Sequence, residues 1–248
     1  MRTAIIIPCD RNYLEGLNTL LFSIFFHTAA SLVEVNVVII SNDLQAEDIF
    51  HFPGIAGLIH RPDVKKYADI PQKGRFPNVV YHTWDALGLG YDRLIFMGAD
   101  QLVVGDISPL LQADLPPLCA MQENTGTPTE RICTGMLVIR PDAFPGLWDQ
   151  WMNLATQGES YDSGDQGVIN KWVKMNNIEV TFLDPFFDVS KRMFTHAGWW
   201  NKHKHQFRSI HYVGQLKPWD MKQNTRSELD HLWWSYANQE PIDIPDHV

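Results

Sequence analysis

The sequence predicts one α/β domain, parallel in its first half and more mixed in its second. Three observations carry that reading. Ala4-Ile5-Ile6-Ile7 is a continuous apolar run ending at Pro8, the pattern of a strand buried on both faces. Leu14 to His27 places Leu17, Leu20, Leu21, Ile24 and Phe25 at helical spacing. Val35-Asn36-Val37-Val38-Ile39-Ile40 is a second β-branched run, closed by the turn-forming Ser41-Asn42-Asp43. Strand, helix and strand in that order favour parallel pairing through a right-handed crossover.

The remaining elements follow in chain order. Leu58-Ile59 reads as a third short strand, and Val79 to Leu89 as a helix ending at Gly88 or Gly90. Arg93-Leu94-Ile95-Phe96-Met97 is the next buried strand, with Leu118 to Gln122 and Gly135 to Ile139 as two more. Phe144 to Ala155 and Asp165 to Met175 are predicted helices; Ile178 to Leu183 and Ser209 to Val213 are predicted strands. No repeat, low-complexity tract or linker interrupts the chain. Residues 1–223 are expected to form the domain, and the polar, aromatic stretch 224–248 to pack on it or fray from it.

Composition narrows the function. A net charge of −9 argues against a nucleic-acid or anionic-membrane surface. Cys9, Cys119 and Cys133 are widely spaced, so they form neither a C-x-x-C metal pair nor a disulfide framework. The segment Met1 to Pro8 reads as a strand rather than a secretory signal. Leu17 to Phe26 falls short of the roughly 20 apolar residues a bilayer requires. A cytoplasmic protein without an integral membrane segment is therefore expected.

Ligands of an open α/β sheet bind outside the carboxyl ends of its strands, and polar clusters fall at four such ends. After the first strand come Cys9-Asp10-Arg11-Asn12-Tyr13 and Gly16, where a ring could stack on a base or simply pack. Gly98-Ala99-Asp100-Gln101 ends an apolar strand, so Asp100 either meets a cation or caps the next segment. Tyr161-Asp162-Ser163-Gly164-Asp165-Gln166-Gly167 offers carboxylates and an amide for sugar hydroxyls, or a helix N-terminus. His211-Tyr212-Val213-Gly214-Gln215-Leu216-Lys217-Pro218-Trp219 joins an imidazole, a glycine and a lysine, groups suited to a metal and a diphosphate. Neither G-x-x-x-x-G-K-[ST] nor G-x-G-x-x-G occurs, which removes the main support for a Walker or dinucleotide site.

Together, and in order from Ala4 to Trp219, these segments resemble glycosyltransferase family 8, the retaining enzymes that include glycogenin and bacterial lipooligosaccharide galactosyltransferases. Tyr13-x-x-Gly16 is similar to the uracil-stacking segment, and Gly98-Ala99-Asp100 stands where the family carries D-x-D. Thr134-Gly135 is similar to the strand bordering the donor sugar; Asp162-x-Gly164-Asp165-Gln166-Gly167-x-x-Asn170 and His211-x-x-Gly214-x-x-Lys217-Pro218-Trp219 match the last two motifs. The resemblance implies a GT-A fold: a single domain with a Rossmann-like mixed sheet flanked by helices. It implies a UDP-sugar donor, a glycan, lipid-linked sugar or protein as acceptor, and Mn²⁺ held by Asp100 and His211. A homodimer is kept as an option. Cys9, Asp10, Tyr13, Gly98, Ala99, Asp100, Gly135, His211, Gly214 and Lys217 would then bind the donor, and Asp162, Asp165 and Gln166 would serve the transfer of a glucose or galactose.

Two departures stand out. Gly98 replaces the first carboxylate of D-x-D, so water would fill one metal position and binding would weaken. Val80 stands where a basic residue is expected, leaving Lys73 or Arg75 to reach the phosphates. Both departures support an alternative, a catalytically silent sugar-nucleotide-binding protein. A nucleotidyltransferase would need a Gly-rich basic segment after the first strand, and Cys9 to Tyr13 has none. Trp199 to His205 is expected to be a surface loop, either facing the acceptor or packed by its aromatic residues.

Overall fold

Strands buried along nearly their whole length set the architecture. A computed structural model describes residues 1–28, 35–52, 56–71, 78–111, 114–123, 130–162, 164–221 and 227–247. Strands β1 (Thr3–Pro8), β2 (Val35–Ile40), β3 (Ala56–His60) and β4 (Arg93–Met97) pair in parallel in the order β3-β2-β1-β4. The sheet continues through β7 (Ile132–Ile139), antiparallel to β4, then β6 (Leu118–Gln122), antiparallel to β7. An edge strand, β8 (Thr181–Phe182), runs parallel to β6. The chain lays β2 and β3 on one side of β1 and β4 on the other. That reversal opens a crevice at the carboxyl ends of β1 and β4, the usual ligand position in such sheets.

Both faces of the sheet are covered. Ile5, Ile7, Val37, Ile39, Ile95 and Met97 belong to one core with Leu17, Leu20, Leu21 and Ile24 of helix α1 (Leu14–Thr28). Ala4, Ile6, Val38, Leu94 and Phe96 belong to the other. It is closed by a 3-10 segment (Asn78–Gly88), α2 (Leu147–Thr156) and α3 (Asp165–Met175). Trp84, Trp151 and Trp172, one from each, pack in series, tilted and then edge-on, with ring centroids 5.3 and 5.7 Å apart. Each buried aliphatic or aromatic side chain contributes roughly 1.5–3 kcal/mol of transfer free energy, so these continuous apolar runs drive folding.

A second, three-stranded sheet has the order β5-β10-β9, from β5 (Gln101–Val103), β10 (Ser209–His211) and β9 (Val189–Ser190). β10 is antiparallel to β5 and parallel to β9. Its core joins Leu102, Val189 and Ile210 to Trp200 of α4 (Ala197–His203) and to Trp233 and Tyr236 of α5 (Glu228–Ala237). A capping box starts α5: Asp230 N donates to Ser227 Oγ (3.3 Å) and Ser227 N to Asp230 Oδ2 (2.8 Å).

Several predicted elements differ in detail. The segment from Asn78 is wound as 3-10 turns, and Thr83 Oγ1 takes the Val80 carbonyl three residues back (2.9 Å). The strand predicted over 178–183 is reduced to Thr181–Phe182, an exposed edge meeting β6 at only two positions. Trp199 to His205 is no loop: it lies in α4 and a following 3-10 turn, Lys204–Gln206. The C-terminal residues hold it there. Trp200 Nε1 donates to the Pro245 carbonyl (2.9 Å), Lys204 Nζ to that of Ile244 (2.8 Å), and Asn201 Nδ2 to that of His247 (3.0 Å). Among the described residues no helix is long and apolar enough to cross a membrane.

Candidate functional site

The corner Gly98-Ala99-Asp100 ends β4 and leads directly into β5. The Asp100 carbonyl accepts from Tyr212 N (2.9 Å), which brings the end of β10 beside it. Asp100 Oδ1 then lies 3.2 Å from His211 Nε2, and Asp100 Oδ2 lies 2.5 Å from Lys217 Nζ. The ammonium also donates to the Tyr212 carbonyl at 2.8 Å, and Lys217 is buried. Burial opposes ionisation of Asp100, but His211 and Lys217 outweigh it and hold the carboxyl well below the usual carboxylate range. Burial likewise opposes charge on His211, yet Asp188 and Asp100 raise it well above the usual imidazole range.

Four glycines shape this wall. A Cβ at Gly98 would stand 2.6 Å from Asp100 Oδ1 and 3.8 Å from His211 Nε2, so position 98 is aimed at that pair. One at Gly135 would meet Asp188 Oδ2 at 2.5 Å and the His211 ring at 3.0 Å. One at Gly16 would meet Ala99 O and the Trp219 ring, both at 2.6 Å. Gly16 thus lets the start of α1 approach two other motifs. Gly214 has φ of +106°, a conformation that side chains with a Cβ rarely adopt.

The segment after β1 forms the neighbouring wall. Asp10 Oδ1 accepts from Asn12 N (2.9 Å) and Tyr13 N (3.2 Å), capping a 3-10 turn. Tyr13 packs edge-on against Trp219 at 5.5 Å, and Lys217 Nζ lies 5.5 Å from its ring centroid. Cys9 is buried, and burial pushes its thiol far up.

The facing wall is the start of α3. Asp162 Oδ1 accepts from Ser160 Oγ (2.9 Å), Gly164 N (2.9 Å) and Gly167 N (3.0 Å), so this carboxylate fixes the loop. Gln166 Oε1 accepts from Thr134 N (3.1 Å), while its Nε2 donates to Tyr161 OH (3.0 Å) and Glu123 Oε1 (3.2 Å). Both ends of that amide are engaged. Asn170 brackets Ile132, accepting from its N–H and donating to its carbonyl, each at 2.8 Å. Asp165 differs: burial first, and then Asp162, raise its carboxyl to about 7.

These walls enclose one cavity of about 830 Å³. Cys9, Asp10, Tyr13, Gly98, Ala99, Asp100, Gly135, Asp162, Asp165, Gln166, His211, Gly214 and Lys217 all line it. So do Val80 and several polar residues outside the motifs, among them Glu123, Asp188, Ser190 and Arg192. Asp188 and Ser190 flank or belong to a two-residue strand, too short to give a periodic signal. Lys73 and Arg75 lie outside the described residues. Arg192 is therefore a cation on the cavity wall that the motifs did not reveal.

The donor set fits a divalent cation in a limited way. A carboxylate oxygen and an imidazole nitrogen converge at 3.2 Å on the cavity wall. Among the described residues no third His, Cys, Asp or Glu completes a cluster. An ion held there would have two protein ligands and would need its other positions filled from outside the protein, as small hard cations commonly do.

The sheet order and helical layers define the GT-A glycosyltransferase fold. LgtC, solved as an active-site mutant, superposes with a TM-score of 0.73 at 15% identity, over 95% of both chains. GlyE of Streptococcus pneumoniae superposes with a TM-score of 0.69 at 18% identity, over 96% of this chain and 60% of its own. The model of Glycosyl transferase family 8 matches residues 4–223, and the chain belongs to that family. Mouse glycogenin-1 is 23% identical over 184 residues, 67% of this chain and 53% of its own. Human glycogenin-1 is 24% identical, over 62% of this chain and 47% of its own. The chain thus spans about half the length of these curated relatives, or less.

Proposed function

We propose that the chain transfers a hexose, glucose or galactose, from a UDP-sugar to an acceptor hydroxyl with retention of configuration. The observation that carries the proposal is the convergence of Asp100, His211 and Lys217 on one wall of a cavity whose opposite wall presents Asp165. In this reading Tyr13 and the segment after β1 receive the nucleotide. Lys217 supplies a fixed positive charge to the departing diphosphate. Asp100 and His211 would hold Mn²⁺ or a similar ion, which when bound would neutralise charge developing on the leaving group. The acceptor, a glycan, a lipid-linked sugar or a protein, enters from the open side, and the reading places the protein in the cytoplasm.

Asp165 and the backbone at Gly135 position the sugar. Asp162 acts one step back, since its Oδ1 is committed to the loop. Gln166 ties α3 to β7 and β6, and with both amide ends engaged it orients rather than attacks. Retention then follows from attack on the leaving-group face, with Asp165 as the carboxylate that assists the developing positive charge. NMR of the product anomer tests this: an axial donor must give an axial product, and an inverted product sinks the proposal.

Gly98 favours a second reading, a sugar-nucleotide-binding protein without turnover. UDP-sugar hydrolysis in Mn²⁺ separates the two. Tight binding with neither hydrolysis nor transfer, across several donors and acceptors, would establish the silent form.

A further inference from the structure

Asp188 belongs to none of the motifs above, yet its carboxylate is buried against the histidine of the site. Its side chain is 4% exposed. Backbone pairing fixes where it stands: the next residue, Val189, begins β9 and pairs with Ile210, placing Ser190 opposite His211. Ser209 Oγ donates to the Phe187 carbonyl (2.7 Å) and Arg208 N to that of Phe186 (2.7 Å), locking the preceding turn to β10.

The carboxylate has two partners. Its Oδ1 accepts from Gln101 Nε2 at 2.8 Å, and the fully buried Gln101 also donates from Nε2 to the Gly135 carbonyl at 2.9 Å. Its oxygens straddle His211 Nδ1 at 3.2 and 3.4 Å. The absent side chain of Gly135 leaves the space in which the two groups meet. Gripped at Nδ1, the imidazole can offer only Nε2 to the cavity, beside Asp100.

We propose that Asp188 is the positioning residue for His211: it anchors Nδ1, presents Nε2 to the cavity, and is itself held by Gln101. A carboxylate on the remote nitrogen of an imidazole fixes its tautomer and strengthens the other nitrogen as a donor. The inference rests on the functional reading for its consequence, a cation-assisted diphosphate site, but not for its geometry. Asp188 is not expected to touch the substrate.

The test separates these. In proton NMR of the ¹⁵N-histidine protein, a hydrogen-bonded, downfield imidazole Nδ1–H is expected in wild type and in Asp188→Asn, whose Oδ1 can accept the same bonds. It should be absent in Asp188→Ala and in the assignment control His211→Gln. Gln101→Leu, which removes the anchor and leaves Asp188 in place, should broaden the signal; it serves if Asp188→Ala does not fold. Titration with UDP supplies the second readout. Asp188→Ala should weaken binding about 10–100-fold in Mn²⁺ and far less in EDTA, with Asp188→Asn closer to wild type. A signal missing from wild type, or retained in both Asp188→Ala and Gln101→Leu, overturns the inference, as does equal weakening with and without metal. Wild-type UDP binding that ignores Mn²⁺ would instead refute the cation in the functional reading, while the imidazole signal still decides the role of Asp188.

Discussion

Substituting Lys217 by Met tests whether the Asp100–Lys217 pair both builds the site and serves it. Methionine keeps the apolar stem and removes only the ammonium. Asp100 Oδ2 then loses its 2.5 Å partner and the Tyr212 carbonyl its 2.8 Å donor, while His211 stays on Asp100 Oδ1. Removing one member of a buried pair costs about 3–5 kcal/mol, and the surviving His211 contact argues for the low end, about 3 kcal/mol. For a chain of this size roughly 2–4 °C accompanies each kcal/mol, so the melting temperature should fall by about 6–12 °C. The sign with pH follows from Asp100, whose carboxyl is depressed in the folded state. Its stabilisation is present above the ordinary carboxylate pKa of about 4 and is lost as pH falls below it. The gap between Lys217→Met and wild type should therefore be full from pH 7 down to about pH 4 and narrow only as pH falls below that. Adding Asp100→Asn should recover most of the loss by removing the uncompensated charge. Thermal melts of the three variants across that range make the measurement, with UDP titration alongside. Loss of a hydrogen bond to a charged phosphate should weaken UDP by about 1.5–3 kcal/mol. A melting shift under about 2 °C at pH 7, or no recovery in the double variant, would refute the reasoning.

Gly98→Asp would place its Cβ 2.6 Å from Asp100 Oδ1, so the Asp100 side chain must turn aside, and the second carboxylate should then tighten Mn²⁺-dependent UDP binding; titration with and without EDTA reads it, and unchanged metal dependence counts against the site. Asp165 is neutral below about 7 and charged above, so wild-type turnover should rise with pH through that value, whereas Asp165→Asn should be slower at pH 8 and flat. Because burial raises this carboxyl, its ionisation opposes folding; wild type should lose stability relative to Asp165→Asn as pH rises from about 4 to about 7, as chemical denaturation will show. Gly16→Ala would drive a methyl to 2.6 Å from the Ala99 backbone oxygen and Trp219, destabilising by about 1–3 kcal/mol in the same assay.

The sequence was most legible where the chain is most buried. β1, β2, β4 and β6 are continuous apolar runs, and α3 carries its helical spacing across its whole length. Of the second sheet only β10 was legible, as the strand predicted over Ser209 to Val213. β5 and β9 span only three and two residues, below the length at which a period of two can be recognised, and their pairing is long-range. The helix around Trp200 was misread for a related reason. Its indole is buried by carbonyls and side chains from the C-terminal stretch, which local pattern does not reveal. At the site, the motifs supplied residues to each wall of the cavity, but motif membership hid a division of labour. Asp10 and Asp162 use their carboxylates on local backbone N–H groups, while Asp188, outside every motif, grips the histidine.

That division bears on how a cation and a diphosphate would enter. The wall as folded holds two carboxylates, Asp100 and Asp188, against Lys217 and an imidazole biased strongly toward its charged form. A second D-x-D carboxylate would have left excess negative charge to attract a metal on its own. With glycine at 98 the wall is close to balanced, so a free cation would have to compete with Lys217 for Asp100 without the help of a third ligand. A diphosphate would change that balance: it would give Lys217 another anion and could add oxygens to an ion that the protein holds with only two ligands. Binding should therefore be coupled. Mn²⁺ alone should barely move the melting temperature, UDP alone should raise it modestly, and the two together should raise it by more than the sum. A full stabilisation by Mn²⁺ without nucleotide would show that the site is a metal cage in its own right, and that Gly98 is not the deficit its position implies.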